Sequence, residues 1–162
     1  MRQSILRYFI SLLLVSLCIC SATSIFIISG SMKEDSEREM MYSVKLIEYN
    51  LNYSKDLNTQ IETLNPLAFS DDTRISVIDE RGKVLADTYK NDISSNHLKR
   101  EEVQQALHSS NHEGYAMRRS ETTNQPLLYA AYYKDNHIVR LSIPYSGVWG
   151  YFPELAPAFA IS

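Results

Sequence analysis

Cysteine, glycine and proline are all scarce in this sequence of 162 residues, with two, five and five of each. So few glycines and prolines exclude a collagen-like or low-complexity chain. Both cysteines, Cys18 and Cys20, lie in one apolar stretch, and residues two apart do not share a helix face. We therefore predict neither a disulfide framework nor a metal or redox pair. The cysteine-free remainder must be stabilised by a hydrophobic core of its own.

Acidic side chains are absent from the first 30 residues, although the sequence contains 19 of them. The only charged residues before Lys33 are Arg2 and Arg7, and the formal net charge of the whole chain is −3. A general nucleic-acid binder would need a basic surface, so no nucleic-acid partner is predicted. The sequence divides into a basic N-terminal stub, an uncharged stretch and an acidic polar body.

The uncharged stretch, residues 8–31, is long enough to cross a lipid bilayer. About 20 apolar residues in a helix span the roughly 30 Å hydrocarbon core. The alternative is a cleaved signal peptide, whose apolar part lasts only about 7–15 residues; here four large hydrophobic residues follow residues 21–24. We expect an uncleaved anchor in the plasma membrane. The basic residues favour a cytoplasmic stub, residues 1–7, and therefore an extracytoplasmic body.

Residues 32–66 are predicted to form a juxtamembrane helix, because neither glycine nor proline interrupts them before Pro66. Four apolar residues recur at steps of four, three and four: Met40, Val44, Ile47 and Leu51. This spacing marks one helix face, and we interpret it as the seam of a homodimer. The alternative is a helix that packs wholly on its own domain. A second stripe, Leu57, Ile61 and Leu64, is expected to pack on that domain.

The period of hydrophobic residues changes to two after Pro66. Two strands flank a turn at Gly82, a short helix follows over residues 98–107 with Asn96 as its cap, and three further strands end near residue 143. We therefore expect an α+β fold in which residues 67–145 form a five-stranded antiparallel sheet. Residues 146–162 are apolar and aromatic, and we interpret them as the start of a second, truncated membrane segment.

No arrangement of residues in the chain indicates catalysis. His108 and His112 have the spacing of helical zinc ligands, but the Ser-Ser-Asn between them ends helices, so no metal site is predicted. The Glu101-Glu102 pair at a helix start is expected to be solvated. Phosphate-binding glycine loops are missing from the sequence, and no cofactor is expected.

The sequence suggests one site for a small anionic ligand. Arg118 and Arg119 on one strand and Arg140 on a neighbouring strand could converge on an anion, with Tyr129 beside them. The alternative is that these arginines pair with acidic groups of the protein itself.

Five sequence blocks resemble the extracytoplasmic sensor region of phosphate-response (PhoR-like) sensor histidine kinases. The first reads Arg-Ile-Ser-Val-Ile-Asp-Glu-Arg-Gly-Lys-Val-Leu-Ala-Asp-Thr and is similar to the family's opening hairpin. In chain order the blocks are residues 74–88, 96–107, 119–122, 128–131 and 139–144. The resemblance implies a PAS-like, single-Cache-type sensor between two membrane helices.

The resemblance also implies an output domain that this sequence does not contain. The parent would be a homodimeric two-component kinase that autophosphorylates on histidine and then phosphorylates a response regulator. Two alternatives remain open: the input domain of a chemoreceptor or cyclic-dinucleotide enzyme, and a stand-alone, single-pass anchored binding protein.

Overall fold

The computed structural model describes residues 2–68, 70, 72–89, 96–120 and 124–147. The chain divides into two compact units, the larger of which is Asp35–Ser146. The proposed second membrane segment lies almost entirely outside the described residues, so it stays a prediction.

Helix α1, Arg2–Asn50, contains the predicted membrane segment. Within Ile5–Asn50 the most apolar window has a mean hydropathy of 2.4, and none of it is buried. A core helix of a globular domain would hide such side chains. By length and composition, α1 is able to cross a membrane.

Five antiparallel strands form a single sheet in the order β2-β1-β5-β4-β3. The strands are β1 (Arg74–Asp79), β2 (Val84–Asp87), β3 (Glu113–Arg119), β4 (Pro126–Lys134) and β5 (His137–Pro144). The α+β class with a five-stranded antiparallel sheet is confirmed. The strands β1 and β5 are neighbours, with Ile75 paired to Leu141.

One face of the sheet packs against the second half of α1, and this contact corrects the predicted dimer seam. Met40, Val44 and Ile47 have no exposed surface and pack with core residues of the sheet such as Val77. The fourth residue, Leu51, packs against the same core. Side chains that a single chain already buries have no area left for a second copy. These four residues therefore follow the alternative interpretation, in which the helix packs on its own domain.

The predicted uninterrupted helix over residues 32–66 is wrong, because α1 ends at Asn50 and α2 begins at Leu57. The interruption needs neither glycine nor proline. Gln60 clamps it, accepting from the Asn52 amide at 2.8 Å and donating to the Asn52 carbonyl at 2.9 Å. Asp56 then caps α2 (Leu57–Leu64) by accepting from the Thr59 amide at 3.0 Å. Helix α2 brings its buried Ile61 into the same core, as expected.

The opposite face of the sheet is covered by α3, Glu101–His108. This helix starts later than predicted, and Asn96 does not cap it. Instead the Asn96 side chain donates to the Arg81 carbonyl and accepts from the Leu98 amide, which ties the β1–β2 turn to the segment before α3. The turn needs glycine at position 82, where φ is +82° and a Cβ would lie 2.3 Å from the Leu98 amide.

Candidate ligand site on the α3 face of the sheet

Polar and charged side chains interrupt the α3 face of the sheet. Alternate residues of a strand point to the same face, so Arg118 and Ala116 of β3 share it with Tyr129 of β4. The register adds Arg140 from β5 and Ser76 from β1, which are directly paired. The arrangement places polar or charged side chains from four strands on one surface.

We define the charged centre as five side chains on this face: Arg74, Asp87, Glu102, Arg118 and Arg140. Three are basic and two are acidic, so the formal charge of the charged centre is +1. Its acidic members, Asp87 and Glu102, are both buried. Buried charges are costly unless they are paired, and the pairing pattern therefore defines what the centre can bind.

Glu102 is the link between α3 and two of the arginines. Arg118 donates to it through both terminal nitrogens, at 2.7 Å and 3.2 Å. Arg140 donates to the same carboxylate at the longer distance of 3.4 Å. Two-point contacts of this kind are the strongest ion pairs that arginine makes.

The Tyr129 ring lies beneath both arginines. The guanidinium carbon of Arg118 is 3.7 Å from the ring centroid, and that of Arg140 is 5.6 Å from it. An aromatic face attracts cations at such distances. Tyr129 therefore helps to hold two like-charged groups on the same surface.

The other end of the charged centre is held together by hydrogen bonds. Arg74 binds Asp87 through two nitrogens, at 2.8 Å and 2.9 Å. The Ser76 hydroxyl donates to Asp87 at 2.7 Å and accepts from Arg140 at 3.0 Å. Because these partners satisfy each other, this end offers little to a ligand.

Arg140 is the least satisfied member of the charged centre. Its residue surface is only 2% exposed, and its Nε has no hydrogen-bond partner among the described residues. Burial lowers the pKa of Arg140, and the Glu102 carboxylate acts in the opposite direction. A buried donor left unpaired costs stability, so an unpaired edge on a buried guanidinium indicates a place for an anion.

The structure unites three of the four residues that the sequence suggested for a ligand site. Arg118, Arg140 and Tyr129 meet on the α3 face. Arg119 does not join them, because neighbouring residues of a strand point to opposite faces; its side chain is exposed and donates to the Asn124 carbonyl at 3.0 Å.

Glu102 is the residue that the sequence interpretation misplaced. We expected the Glu101-Glu102 pair to be solvated, yet only Glu101 is exposed and Glu102 is fully buried. The available signal was its position beside Val103 on the inward face of a short amphipathic helix. The expectation that the arginines pair with acidic groups of the protein is partly met, because Glu102 pairs with both Arg118 and Arg140.

The chemistry that this arrangement allows is recognition of an anion. Arg118 is partly exposed, with 27% of its side-chain surface accessible, and so gives a solute access to the charged centre. Within the described part of the chain, no group of three or more His, Cys, Asp or Glu side chains is placed to hold a metal ion.

Solved structures with the same fold include a chemoreceptor ligand-binding domain, a chemotaxis protein and a protein with an EAL domain. The ligand-binding domain of the Campylobacter jejuni chemoreceptor Tlp3, in complex with 4-methylisoleucine, matches with a TM-score of 0.51 and 16% identity, over 74% of this chain and 55% of that chain. A methyl-accepting chemotaxis protein from Vibrio parahaemolyticus matches with a TM-score of 0.51 and 19% identity, over 75% of this chain and 96% of that chain. Both domains share the α+β fold of this chain.

A third match extends the comparison beyond chemoreceptors. The Bacillus subtilis YkuI protein, which has an EAL domain, matches with a TM-score of 0.55 and 18% identity, over 79% of this chain. This chain spans 36% of the YkuI chain and 55% of the Tlp3 chain. No protein-family model and no curated protein matches the sequence. At these identities the likeness concerns the fold.

Proposed function

We propose that this chain is the sensory input region of a membrane-anchored signalling protein and that it binds one small anion at the charged centre. The observation that carries the proposal is Arg140, a buried guanidinium whose Nε has no hydrogen-bond partner among the residues that the structure describes. An anion bound there would accept a hydrogen bond from this donor. The apolar segment of α1 supports a membrane anchor with an extracytoplasmic domain.

The anion site can be tested by replacing Arg140 with methionine, which keeps most of the length of the side chain. We expect the affinity for acetate or inorganic phosphate to fall roughly 10- to 150-fold, because a hydrogen bond to a charged group contributes about 1.5–3 kcal/mol. The measurement is a titration of the full chain in phosphatidylcholine nanodiscs, followed by the ¹⁵N-arginine Nε–H resonances.

Arg119→Met provides the matched control for Arg140→Met. It removes the same charge from a residue that projects from the opposite face, so the affinity should stay within about twofold of the unmutated chain. Equal losses in both variants would indicate a diffuse electrostatic effect. Absence of any anion-dependent shift in the unmutated chain would refute the proposed site.

Homodimerisation is proposed through a different face of α1 from the one that the sequence suggested. Tyr42, Leu46 and Tyr49 are 70%, 46% and 80% exposed, and they recur at steps of four and three. Two copies anchored in one bilayer are parallel, so each of these residues would meet its own equivalent. The buried stripe of Met40, Val44 and Ile47 is unavailable for such a contact.

Cysteine crosslinking distinguishes the two faces. In a Cys18→Ser, Cys20→Ser background, Tyr42→Cys, Leu46→Cys and Tyr49→Cys are expected to form disulfide dimers in membranes at several times the yield of Val44→Cys and Ile47→Cys. The physical reason is that a thiol on the core side cannot reach a second chain. Uniform yields, or higher yields at positions 44 and 47, would contradict the proposed face.

The proposed parent is a two-component sensor histidine kinase, on the strength of the sequence blocks that resemble the PhoR-like family. The structural comparisons favour a second candidate, the input domain of a chemoreceptor or of a cyclic-dinucleotide enzyme. The coding sequence downstream of Ser162 tests the two. A phosphoacceptor-histidine helix followed by an ATP-binding domain would support the kinase, whereas a methyl-accepting helical region or an EAL domain would support the second candidate.

A further inference from the structure

Helix α3 depends on an ion pair for part of its attachment to the sheet. It has eight residues, and its fully buried apolar side chains are only Val103 and Ala106. The charged side chain of Glu102 is as fully buried as these two apolar ones. Because the apolar contact of this short helix is so small, loss of the Glu102 ion pair is expected to weaken its attachment to the sheet.

The Glu102 carboxylate binds the Arg118 guanidinium in the same way that the carboxylate of a ligand would. Both oxygens engage the two terminal nitrogens, at 2.7 Å and 3.2 Å, which is the two-point geometry of carboxylate recognition. Arg140 reaches the same group only at 3.4 Å, and its Nε has no hydrogen-bond partner in the described part of the chain. The site is therefore filled by an internal carboxylate that satisfies one arginine well and the other poorly.

We propose that Glu102 is a resident anion that a carboxylate ligand displaces from Arg118 and Arg140, so that ligand binding releases α3 from the sheet. This inference rests on the proposed anion-sensing function and adds to it the class of ligand and the part that moves. A monocarboxylate that replaces Glu102 leaves the charge among the arginines unchanged. Its freedom of position also allows it to engage Arg140 more closely than a side chain fixed to α3 can.

The first test is a change of charge at Glu102 that preserves its size. Glu102→Gln leaves a side chain that still accepts a hydrogen bond but competes weakly with a carboxylate. We expect the affinity for acetate to rise about tenfold, measured by the same ¹⁵N-arginine titration of the full chain in nanodiscs. Glu101→Gln, the matched control on the exposed side of α3, should change the affinity less than twofold.

The second test follows α3 itself by hydrogen–deuterium exchange. Saturating acetate is expected to increase exchange of the amides of residues 104–108 in the unmutated chain by at least fivefold, because the ion pair no longer restrains the helix. Glu102→Gln should show raised exchange without acetate. Glu102→Asp keeps the charge but has a shorter side chain, so it should also raise the exchange of α3 amides without acetate. It replaces Glu102→Gln in this test if that variant does not fold.

The outcomes separate this inference from the function on which it rests. If acetate binds the unmutated chain but Glu102→Gln binds it equally or more weakly, or if acetate protects α3, displacement is refuted and the anion site stands. If neither form binds acetate or inorganic phosphate, both proposals fail. Binding of phosphate without binding of acetate would overturn the carboxylate class alone.

Discussion

Replacing Ile47 by alanine is expected to lower the free energy of unfolding of the Asp35–Ser146 unit by about 2–5 kcal/mol. Ile47 is fully buried in the core between α1 and the sheet, so the shorter side chain leaves a cavity. The measurement is hydrogen–deuterium exchange of the most protected sheet amides in the full chain in nanodiscs. Their exchange should accelerate roughly 30-fold to several thousand-fold.

Met117→Ala is the control for Ile47→Ala, because Met117 is an apolar residue of the same unit that is 53% exposed and lies outside the proposed dimer face. Its exchange rates should change by less than about threefold, since surface substitutions alter stability by about 0.5 kcal/mol or less. If Ile47 instead formed a dimer seam, the effect of Ile47→Ala would depend on the density of protein in the membrane. A concentration-dependent loss would therefore contradict its assignment to the core.

Replacing Gly114 by alanine is expected to displace α3. A Cβ at position 114 would lie 1.9 Å from the Glu102 carbonyl oxygen and 2.7 Å from the Ala106 amide nitrogen, both of them backbone atoms that cannot turn aside. The helix must retreat by more than an ångström or the strand must bend. Overpacking of this kind costs about 1–3 kcal/mol, and the Glu102 ion pair is lost with the helix.

Hydrogen–deuterium exchange of α3 compared with the central strands measures the effect of Gly114→Ala. Amides of α3 should lose protection by more than tenfold, whereas those of β1 and β5 should change less. Gly30→Ala is the control, because the added Cβ would meet no atom within 4 Å apart from its chain neighbours and its own helix backbone. Unchanged protection of α3 in Gly114→Ala would show that the contact between this helix and β3 is looser than the structure indicates.

The sheet was accessible from the sequence because local patterns determine it. Period-two hydrophobic segments and turn residues such as Gly82 marked all five strands within one or two residues of their observed bounds. The order of the strands was not accessible in this way, because the pairing of β1 with β5 depends on contacts between distant residues.

The end of α1 shows where local reasoning failed. The apolar stripe continued through Leu51 and no glycine or proline interrupted it, so a longer helix was predicted. The signal for a break lay in side-chain hydrogen bonding: Asn52 and Asp56 offer the backbone partners outside a helix, and Gln60 completes the turn. Whether these hydrogen bonds are more favourable than continuing the helix depends on the burial of α2 residues such as Ile61 in the core.

The candidate site was predictable in its strand residues and unpredictable in its helix residue. Strand alternation alone separates Arg118 from Arg119, and a stricter use of that rule would have excluded Arg119. The role of Glu102 depends on how α3 crosses β3 at Gly114, which is a tertiary contact with no local signature. Glutamate at a helix start is ordinarily solvated, so composition favoured the wrong assignment.

The position of β5 constrains how the domain is made. It follows the other four strands along the chain, yet it lies at the middle of the sheet between β1 and β4. During synthesis the β1–β2 and β3–β4 hairpins can each form early, but they have no contact with one another until β5 emerges and joins them. Closing the long loop between β1 and β5 carries an entropic cost that slows folding. The hydrophobic side chains of the sheet that pack against α1 therefore stay exposed until β5 has been translated. During this interval the nascent chain is most sensitive to proteases and to aggregation.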